Sequence, residues 1–313
     1  MFIRRLKSLL IGLVLLSLTL FLVQSLSLTD LRHAFSAISL NTVIALLLLQ
    51  LLTLLLLTLQ YHLLFKDFHL PLPFKTLLSM HFIGVFYESI TPMFKVGGEV
   101  FKIRYLKQKG YEKLHTSSVI VRQKTLSFTA FFTLLLITII VSLSRHSMIT
   151  RALPVWLYFF LALGLIVLLS LSALIVFKKR FPDHYNTFKS HLKNSTNHRV
   201  VHTVIAFSIW LLFSAKSYLL FQHFNLSITF IDAQLITLLT YTVSLIPLAP
   251  GALGTNEASM VGLLSLFLVP FHQALALTMI LRFTTFWFVF ILSATSLLMT
   301  TFNPLRRRMH ATS

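Results

Sequence analysis

Two stretches of the chain place a glutamate seven positions after a proline, with glycine close before the carboxylate, inside a largely apolar sequence. The first runs from Pro92 to Glu99 and the second from Pro250 to Glu257. A carboxylate at membrane depth is costly unless it faces protein or a wet cavity, where it can pair with a cation or carry a proton. Irregular backbone is tolerated under the same condition. The two breaks therefore predict a polar site within a membrane.

Three further charged residues fall in apolar segments. Arg282 lies well inside an apolar stretch at 272–302, so we expect it to face Glu257 or a lipid phosphate. Glu88 lies inside the first interrupted segment. Lys216 is expected to reach the interface or to pack against polar neighbours.

Each glutamate also has a purely structural interpretation. Glu257 could favour the start of a helix whose N-cap is Thr255 or Asn256. Glu99 could belong to an amphipathic helix whose lysines rest among lipid headgroups. The functional alternative for Glu99 is a helix start at a cavity edge that offers N–H groups, with Arg104 nearby, to a phosphate.

Composition points to membrane throughout. The chain has 313 residues, of which 56% are hydrophobic and 11% charged, with a mean hydropathy of +0.84. No soluble domain of ordinary composition fits these values, so residues 1–313 are predicted to form a single integral membrane domain. The net charge of +19 is assigned to basic loops at the headgroups rather than to nucleic-acid binding.

The predicted fold is an all-α polytopic membrane protein with about six to eight transmembrane helices and two broken or re-entrant elements. The long spans are predicted at 6–28, 39–65, 116–143, 153–177, 200–224 and 272–302. The broken elements occupy 74–110 and 233–270.

Basic residues orient these segments, because loops rich in Lys and Arg remain cytoplasmic. Both termini are therefore predicted to be cytoplasmic. The loops around Lys66–Lys75 and Lys95–Lys113 are both basic, although one apolar segment separates them. A re-entrant hairpin within 74–94 would resolve this conflict. For the second element, segments 233–249 and 255–270 could form a hairpin that enters from the opposite face and is followed by one full span, or the chain could make three complete crossings. Hairpins that enter from opposite faces would form an inverted repeat.

Catalytic and metal signatures are missing from the sequence. There is no cysteine, no H-E-x-x-H, no P-loop and no G-x-S-x-G. The prediction is accordingly a protein without a cofactor or metal and without enzymatic activity.

The broken elements resemble those of a known family, the flippase-like transmembrane region of lysylphosphatidylglycerol synthases. The first matching element runs from Pro92 to Gly98-Glu99, with Arg104 downstream. The second runs from Pro247 to Glu257 and includes Pro250, Gly251 and Gly254. Arg282 matches an arginine in the last span. One departure is the stretch at 121–125, which lacks the acidic residue of an acidic–Arg pair.

The resemblance implies that the chain moves a phospholipid or a lipid-linked headgroup between leaflets. Too few residues follow the last predicted span for a soluble synthase domain, so synthase activity is not expected here. The predicted location is the cytoplasmic (inner) membrane of a bacterium, and a homo-oligomer is compatible with the sequence. The alternatives are a membrane transferase acting on a lipid or polyprenyl phosphate, and a non-transporting subunit of an envelope complex.

Overall fold

A computed structural model describes residues 38–70, 72–91, 96–145, 178, 198–245 and 250–302. Within those ranges the secondary structure is helical and contains no strand. The all-α fold class is therefore confirmed. The helices are α1 Leu40–Asp67, α2 Phe74–Ile90, α3 Val96–Gln108, α4 Lys113–Arg145, α5 Arg199–His223, α6 Phe230–Val243, α7 Thr255–Leu266, α8 Phe271–Arg282 and α9 Phe288–Phe302.

Four helical segments of the described ranges are long and apolar enough to cross a membrane. They are Leu40–Asp67, Lys113–Ser144, Arg199–His223 and Phe271–Met299. The last combines α8, a π-helical turn at Phe283–Trp287 and α9. These segments match four of the six predicted long spans. The predicted spans 6–28 and 153–177 lie outside the described residues.

The chain divides into two compact units. The first comprises Met1–Thr53, Leu78–Lys102 and Leu212–Ser313, and the second comprises Leu54–Leu77 and Ile103–Leu211. Both broken elements have their breaks in the first unit.

Helices α2 and α3 form a helical hairpin in the first unit. Gly98 of α3 lies so close to α2 that a Cβ atom there would be 2.5 Å from the Gly84 carbonyl oxygen. Nearby, the rings of Tyr87 and Phe101 stack with centroids 4.9 Å apart. The prediction of a hairpin within 74–94 is wrong in its position, because α2 is one continuous helix of 17 residues. Helix α2 ends at Ile90 and α3 begins at Val96, and the two helices lie close together because glycine lets their backbones approach.

Two shorter helices, α6 and α7, surround the second break. They contain 14 and 12 residues, whereas a straight crossing needs about 20. Thr229 caps α6, and its backbone N–H and hydroxyl both donate to the carboxylate of Asp232. Helix α6 packs on α7, and α7 packs on α8. Short packed helices of this kind fit the hairpin interpretation better than complete crossings.

An apolar core joins the helices on either side of the second break. Its buried residues come from five helices of the first unit and the loops between them. They include Leu46, Leu220, Ile236, Leu264 and Leu277, each at most 1% exposed. Because so little of these side chains is accessible, the helices on either side of the second break are tightly packed against one another.

The second unit contains polar contacts of its own. The carboxylate of Asp67 accepts from Nε2 of His202 at 2.8 Å and from Nδ1 of His198 at 3.2 Å. Gln123 donates from Nε2 to the Gln60 side chain at 3.1 Å. The region at 121–125, which lacks the family's acidic residue, thus contributes the neutral amide of Gln123, and this amide pairs with that of Gln60.

Candidate functional site

A buried ion pair joins the second break to the last span. The Nε of Arg282 donates to Oε1 of Glu257 at 2.6 Å. The side chains are only 10% and 6% exposed. A charge-assisted hydrogen bond of this length is strong when water is excluded. The pairing predicted between these residues is therefore present in the structure.

The backbone of the break completes the coordination of both charges. Gly251 (φ +61°) and Gly254 (φ +82°) adopt left-handed conformations that favour glycine. The carbonyl of Gly251 accepts from Nη2 of Arg282 at 2.7 Å, and the N–H of Gly254 donates to Oε2 of Glu257 at 2.7 Å. The glycines are thus needed to aim one acceptor and one donor at the ion pair. Pro250, also predicted as a site residue, is buried at the start of this turn.

The N-cap of α7 differs from the expectation. Gly254 occupies the N-cap position, and neither Thr255 nor Asn256 does. Glu257 reaches back to the Gly254 N–H, so it caps the helix and pairs with Arg282 at once. The structural and the functional interpretations of Glu257 therefore coexist.

The π-helical turn follows directly after Arg282. The guanidinium lies over the ring of Phe286 at 4.3 Å, which adds a cation–π contact. π-Helical turns occur often at functional sites because they shift the register of the following side chains. Phe286 lies in this π-helical segment, four residues after Arg282, and its ring lies beneath the guanidinium.

A small cavity of about 30 Å³ adjoins the arginine. Its lining is Phe213, Thr237, Thr240, Tyr241, Asn256, Met260, Leu281, Arg282 and Thr285. A cavity of this size holds about two water molecules. The Oγ1 of Thr240 is buried and has no hydrogen-bond partner, which marks a polar group that a guest molecule could satisfy.

The second break also touches α2, which leads into the first break. A Cβ atom at Gly251 would lie 3.3 Å from the Ser89 carbonyl oxygen and 2.6 Å from the Phe286 ring. The rings of Phe86 and Phe290 stack at 5.3 Å. The structure thus brings the end of α2 against the glycine turn, as expected if the two breaks belong to one site.

The first break has a separate ion cluster. Lys102 is 1% exposed, and its Nζ lies 3.2 Å from Glu88 and 3.3 Å from Glu99. Glu99 stands in the first turn of α3, as predicted. Arg104, predicted as a phosphate ligand, is exposed. The sequence singled out Arg104 because of the family pattern, whereas the buried cation beside both glutamates is Lys102.

Lys216 is the other deeply buried cation. It is fully buried, and its Nζ lies 2.5 Å from Oε1 of Gln50, 3.4 Å from Oγ1 of Thr53 and 4.0 Å from the Phe213 ring centroid. The expectation that it packs against polar neighbours is met. No carboxylate of the described ranges lies within ion-pair distance of it.

Sequence reasoning did not find Thr240 or the role of Lys102. Thr240 sits in an ordinary threonine-bearing apolar helix, and nothing in its local sequence indicates an unpaired hydroxyl. Lys102 carried a signal, because it lies three residues after Glu99 and can share a helix face with it.

These features define a polytopic α-helical membrane protein with ion pairs at two breaks in its helices. The model of the lysylphosphatidylglycerol synthase TM region matches residues 6–293, and the chain belongs to this family. The family named from the sequence is thereby confirmed.

Two curated relatives carry only a general name. The chain is 22% identical to a UPF0104 membrane protein of Pyrococcus horikoshii over 259 residues, or 71% of this chain and 76% of the relative. It is 32% identical to a UPF0104 membrane protein of Methanothermobacter thermautotrophicus over 91 residues, covering 29% of this chain and 27% of the relative. No solved structure matches the chain significantly.

Proposed function

We propose that this protein moves a phospholipid, or a lipid-linked headgroup, from one leaflet to the other as a flippase or scramblase. The observation that carries the proposal is the buried Arg282–Glu257 pair, held by the Gly251–Gly254 turn beside a small cavity. An intramembrane ionisable pair of this kind is expensive and commonly marks a transport pathway.

Broken helices supply what lipid translocation needs. The acyl tails can remain in the bilayer, so only the headgroup requires a polar path. Unwound backbone and helix starts offer N–H and C=O groups along such a path without exposing them to lipid. The glycine turn next to Ser89 provides irregular backbone at a packed position in the first unit.

In this proposal the Arg282 guanidinium exchanges between two partners, the Glu257 carboxylate and the phosphate of the headgroup. In the described state Arg282 is neutralised by Glu257 and bonded to Gly251. A phosphate entering the cavity competes for the guanidinium, whose planar fork suits phosphate oxygens. Exchange between the carboxylate and the phosphate would let the headgroup bind and leave without an uncompensated charge.

The proposed location is the cytoplasmic membrane, with both termini in the cytoplasm. The basic loops support this orientation, since they would remain on the inner side. The bacterial assignment stays a prediction, because the two relatives described above come from archaea.

Reconstitution tests the proposal directly. The purified chain is placed in liposomes with a trace of headgroup-labelled phospholipid, and label in the outer leaflet is destroyed by a membrane-impermeant reagent. We expect the wild-type protein to expose inner-leaflet label much faster than protein-free liposomes. Glu257→Gln and Arg282→Ala should each slow this exchange.

Matched controls separate transport from leakage and from synthesis. Gly262→Ala is a suitable control variant, because no atom lies within 4 Å of the Cβ position in the described structure. Its rate should equal that of the wild type. Exchange rates that are the same in wild-type and protein-free liposomes would refute transport. A new lipid species in the extracted liposomes would instead indicate the transferase alternative.

A further inference from the structure

We infer that Lys216 is a proton-carrying site, which takes up a proton from water and releases it again inside the membrane. The ligand of this site is the proton itself and not a lipid. Proton exchange at Lys216 is independent of lipid movement, whereas its coupling to leaflet exchange rests on the proposed function.

Lys216 lies deep in a membrane-spanning helix. Its side chain is fully buried in α5, seventeen residues after Arg199 at the start of the helix and seven before His223 at its end. A charge at such a position is costly, and ionisable residues inside spans commonly belong to ion pathways or proton relays. The position therefore favours a role beyond packing.

No carboxylate neutralises Lys216 within the part of the chain that the structure describes. Its Nζ lies 2.5 Å from Oε1 of Gln50, 3.4 Å from Oγ1 of Thr53 and 4.0 Å from the centroid of the Phe213 ring, and all three groups are neutral. Lys102 of the first break provides the contrast, because it is also buried but has two glutamate oxygens within 3.3 Å. Losing a proton would remove the uncompensated charge of Lys216, whereas Lys102 already has counter-charges.

The neighbours of Lys216 suit both of its protonation states. An ammonium has three N–H donors, and an amide oxygen, a hydroxyl oxygen and an aromatic face surround Nζ. A neutral amine keeps two donors and gains a lone pair. The Gln50 amide can then turn and donate an N–H to that lone pair. A carboxylate partner would favour the charged form only, so the amide is the partner that a proton carrier needs.

Water beside the Phe213 ring provides the acceptor for the proton. Release breaks one N–H bond of the ammonium, the electron pair stays on Nζ, and the proton passes to water. The small cavity beside Arg282 holds about two waters, and the Phe213 ring is part of its lining. This ring therefore borders both Lys216 and the space that can hold water.

The other ionisable groups around that cavity do not take the place of Lys216. Arg282 lines the cavity, but a guanidinium keeps its proton, and this one is paired with Glu257. Tyr241 also lines the cavity, and its ring centroid lies 5.0 Å from that of Phe213. A phenol that holds its proton is already neutral, so it has no charge to lose on burial. On α1 both contacts of Lys216 are neutral.

A proton on Lys216 changes the charge beside the proposed headgroup site. The protonated lysine adds a positive charge next to the cavity that Arg282 lines, and the neutral lysine removes it. The proposed mechanism brings a phosphate to Arg282, so proton uptake favours its arrival and proton release favours its departure. Lys216 thereby couples headgroup exchange to pH.

Proton counting on the purified chain tests the inference without measuring transport. Wild type and Lys216→Met, in the same mild detergent, are titrated from about pH 9 to about pH 5.5, a range over which exposed lysines stay charged. The wild type should bind about one proton more per molecule than Lys216→Met. Lys216→Gln is a second variant, whose amide can still bond to Gln50, and it should show the same deficit.

Lys75→Met is the matched control, because Lys75 is an exposed lysine. Its proton uptake should equal that of the wild type. Equal uptake by Lys75→Met and both Lys216 variants would overturn the inference, because it would show that Lys216 keeps one protonation state throughout.

Leaflet exchange at two pH values tests the coupling. The wild-type rate in proteoliposomes should differ by at least roughly threefold between about pH 6 and about pH 9, and the rate of Lys216→Met should be the same at both. A pH dependence that persists in Lys216→Met would overturn the coupling. A one-proton deficit of the Lys216 variants without leaflet exchange by the wild type would refute only the proposed function. Leaflet exchange without that deficit would refute only this inference.

Discussion

The carboxylate of Glu257 links the start of α7 to the last span through Arg282. One oxygen accepts from the arginine Nε at 2.6 Å and the other from the Gly254 N–H at 2.7 Å. The same glutamate therefore stabilises a helix start and neutralises a buried cation. Any change to this glutamate should therefore affect stability and function together.

Breaking one side of the ion pair should be strongly destabilising. Arg282→Met leaves a buried carboxylate, and Glu257→Gln leaves a buried guanidinium, each at a cost of about 3 to 5 kcal/mol. The double variant Glu257→Gln/Arg282→Met removes both charges. Its loss of stability should be clearly smaller than the sum of the losses caused by the two single changes. Melting temperatures of the four proteins in a mild detergent give the coupling. Strict additivity would contradict the pairing.

The glycine turn should tolerate no side chain at Gly251. Gly251→Ala places a Cβ 2.6 Å from the Phe286 ring at φ +61°, so it combines a clash with backbone strain. We expect a loss of about 1 to 3 kcal/mol. Gly262→Ala, inside α7 with open space around it, should instead gain roughly 0.5 to 1 kcal/mol from helix propensity. A melting temperature of Gly251→Ala at or above the wild-type value would refute this account of the turn.

The α2–α3 hairpin should depend on Gly98. A methyl group there would lie 2.5 Å from the Gly84 carbonyl, and backbone at such a position cannot move aside as a side chain can. Gly98→Ala should therefore separate the two helices and speed amide hydrogen exchange in both, while exchange in α7 stays unchanged. Unaltered exchange in α2 and α3 would show that the close approach does not exist in the membrane.

Single cysteines can test the topology, because the native sequence contains none. Lys75 and Lys109 are exposed residues on the two flanks of the hairpin, and Ser227 is exposed in the loop before α6. Each is replaced singly, as Lys75→Cys, Lys109→Cys or Ser227→Cys. An impermeant maleimide added to intact cells should label only Ser227→Cys, and inverted vesicles should show the opposite pattern. Labelling of Lys75→Cys and Lys109→Cys from different sides would exclude the hairpin.

Much of the architecture could be predicted because its signals are local. The apolar runs for α1, α4, α5 and α8–α9 are read directly from composition, and the basic flanks forced a hairpin near 74–94. The turn itself was misplaced, because an apolar run does not show where a helix ends. The glycines Gly97 and Gly98 were visible, but their close contact with α2 depends on tertiary packing.

The site was predicted only where charge made a residue conspicuous. Arg282 and Glu257 were paired in advance, since each is expensive alone in a membrane. Thr240 could not be recognised, because an unsatisfied hydroxyl is a property of its three-dimensional neighbours. The contact between Gly251 and Ser89 is likewise long-range, and no spacing along the chain indicates it.

The most direct test of the central claim is leaflet exchange by the double variant Glu257→Gln/Arg282→Met in proteoliposomes. This variant removes the charges while avoiding an unpaired buried ion, so its melting temperature should stay near that of the wild type. The account predicts an exchange rate at the protein-free baseline despite an intact fold. Exchange at the wild-type rate in the same preparation would show that the Arg282–Glu257 pair is structural and that lipid does not pass through this site.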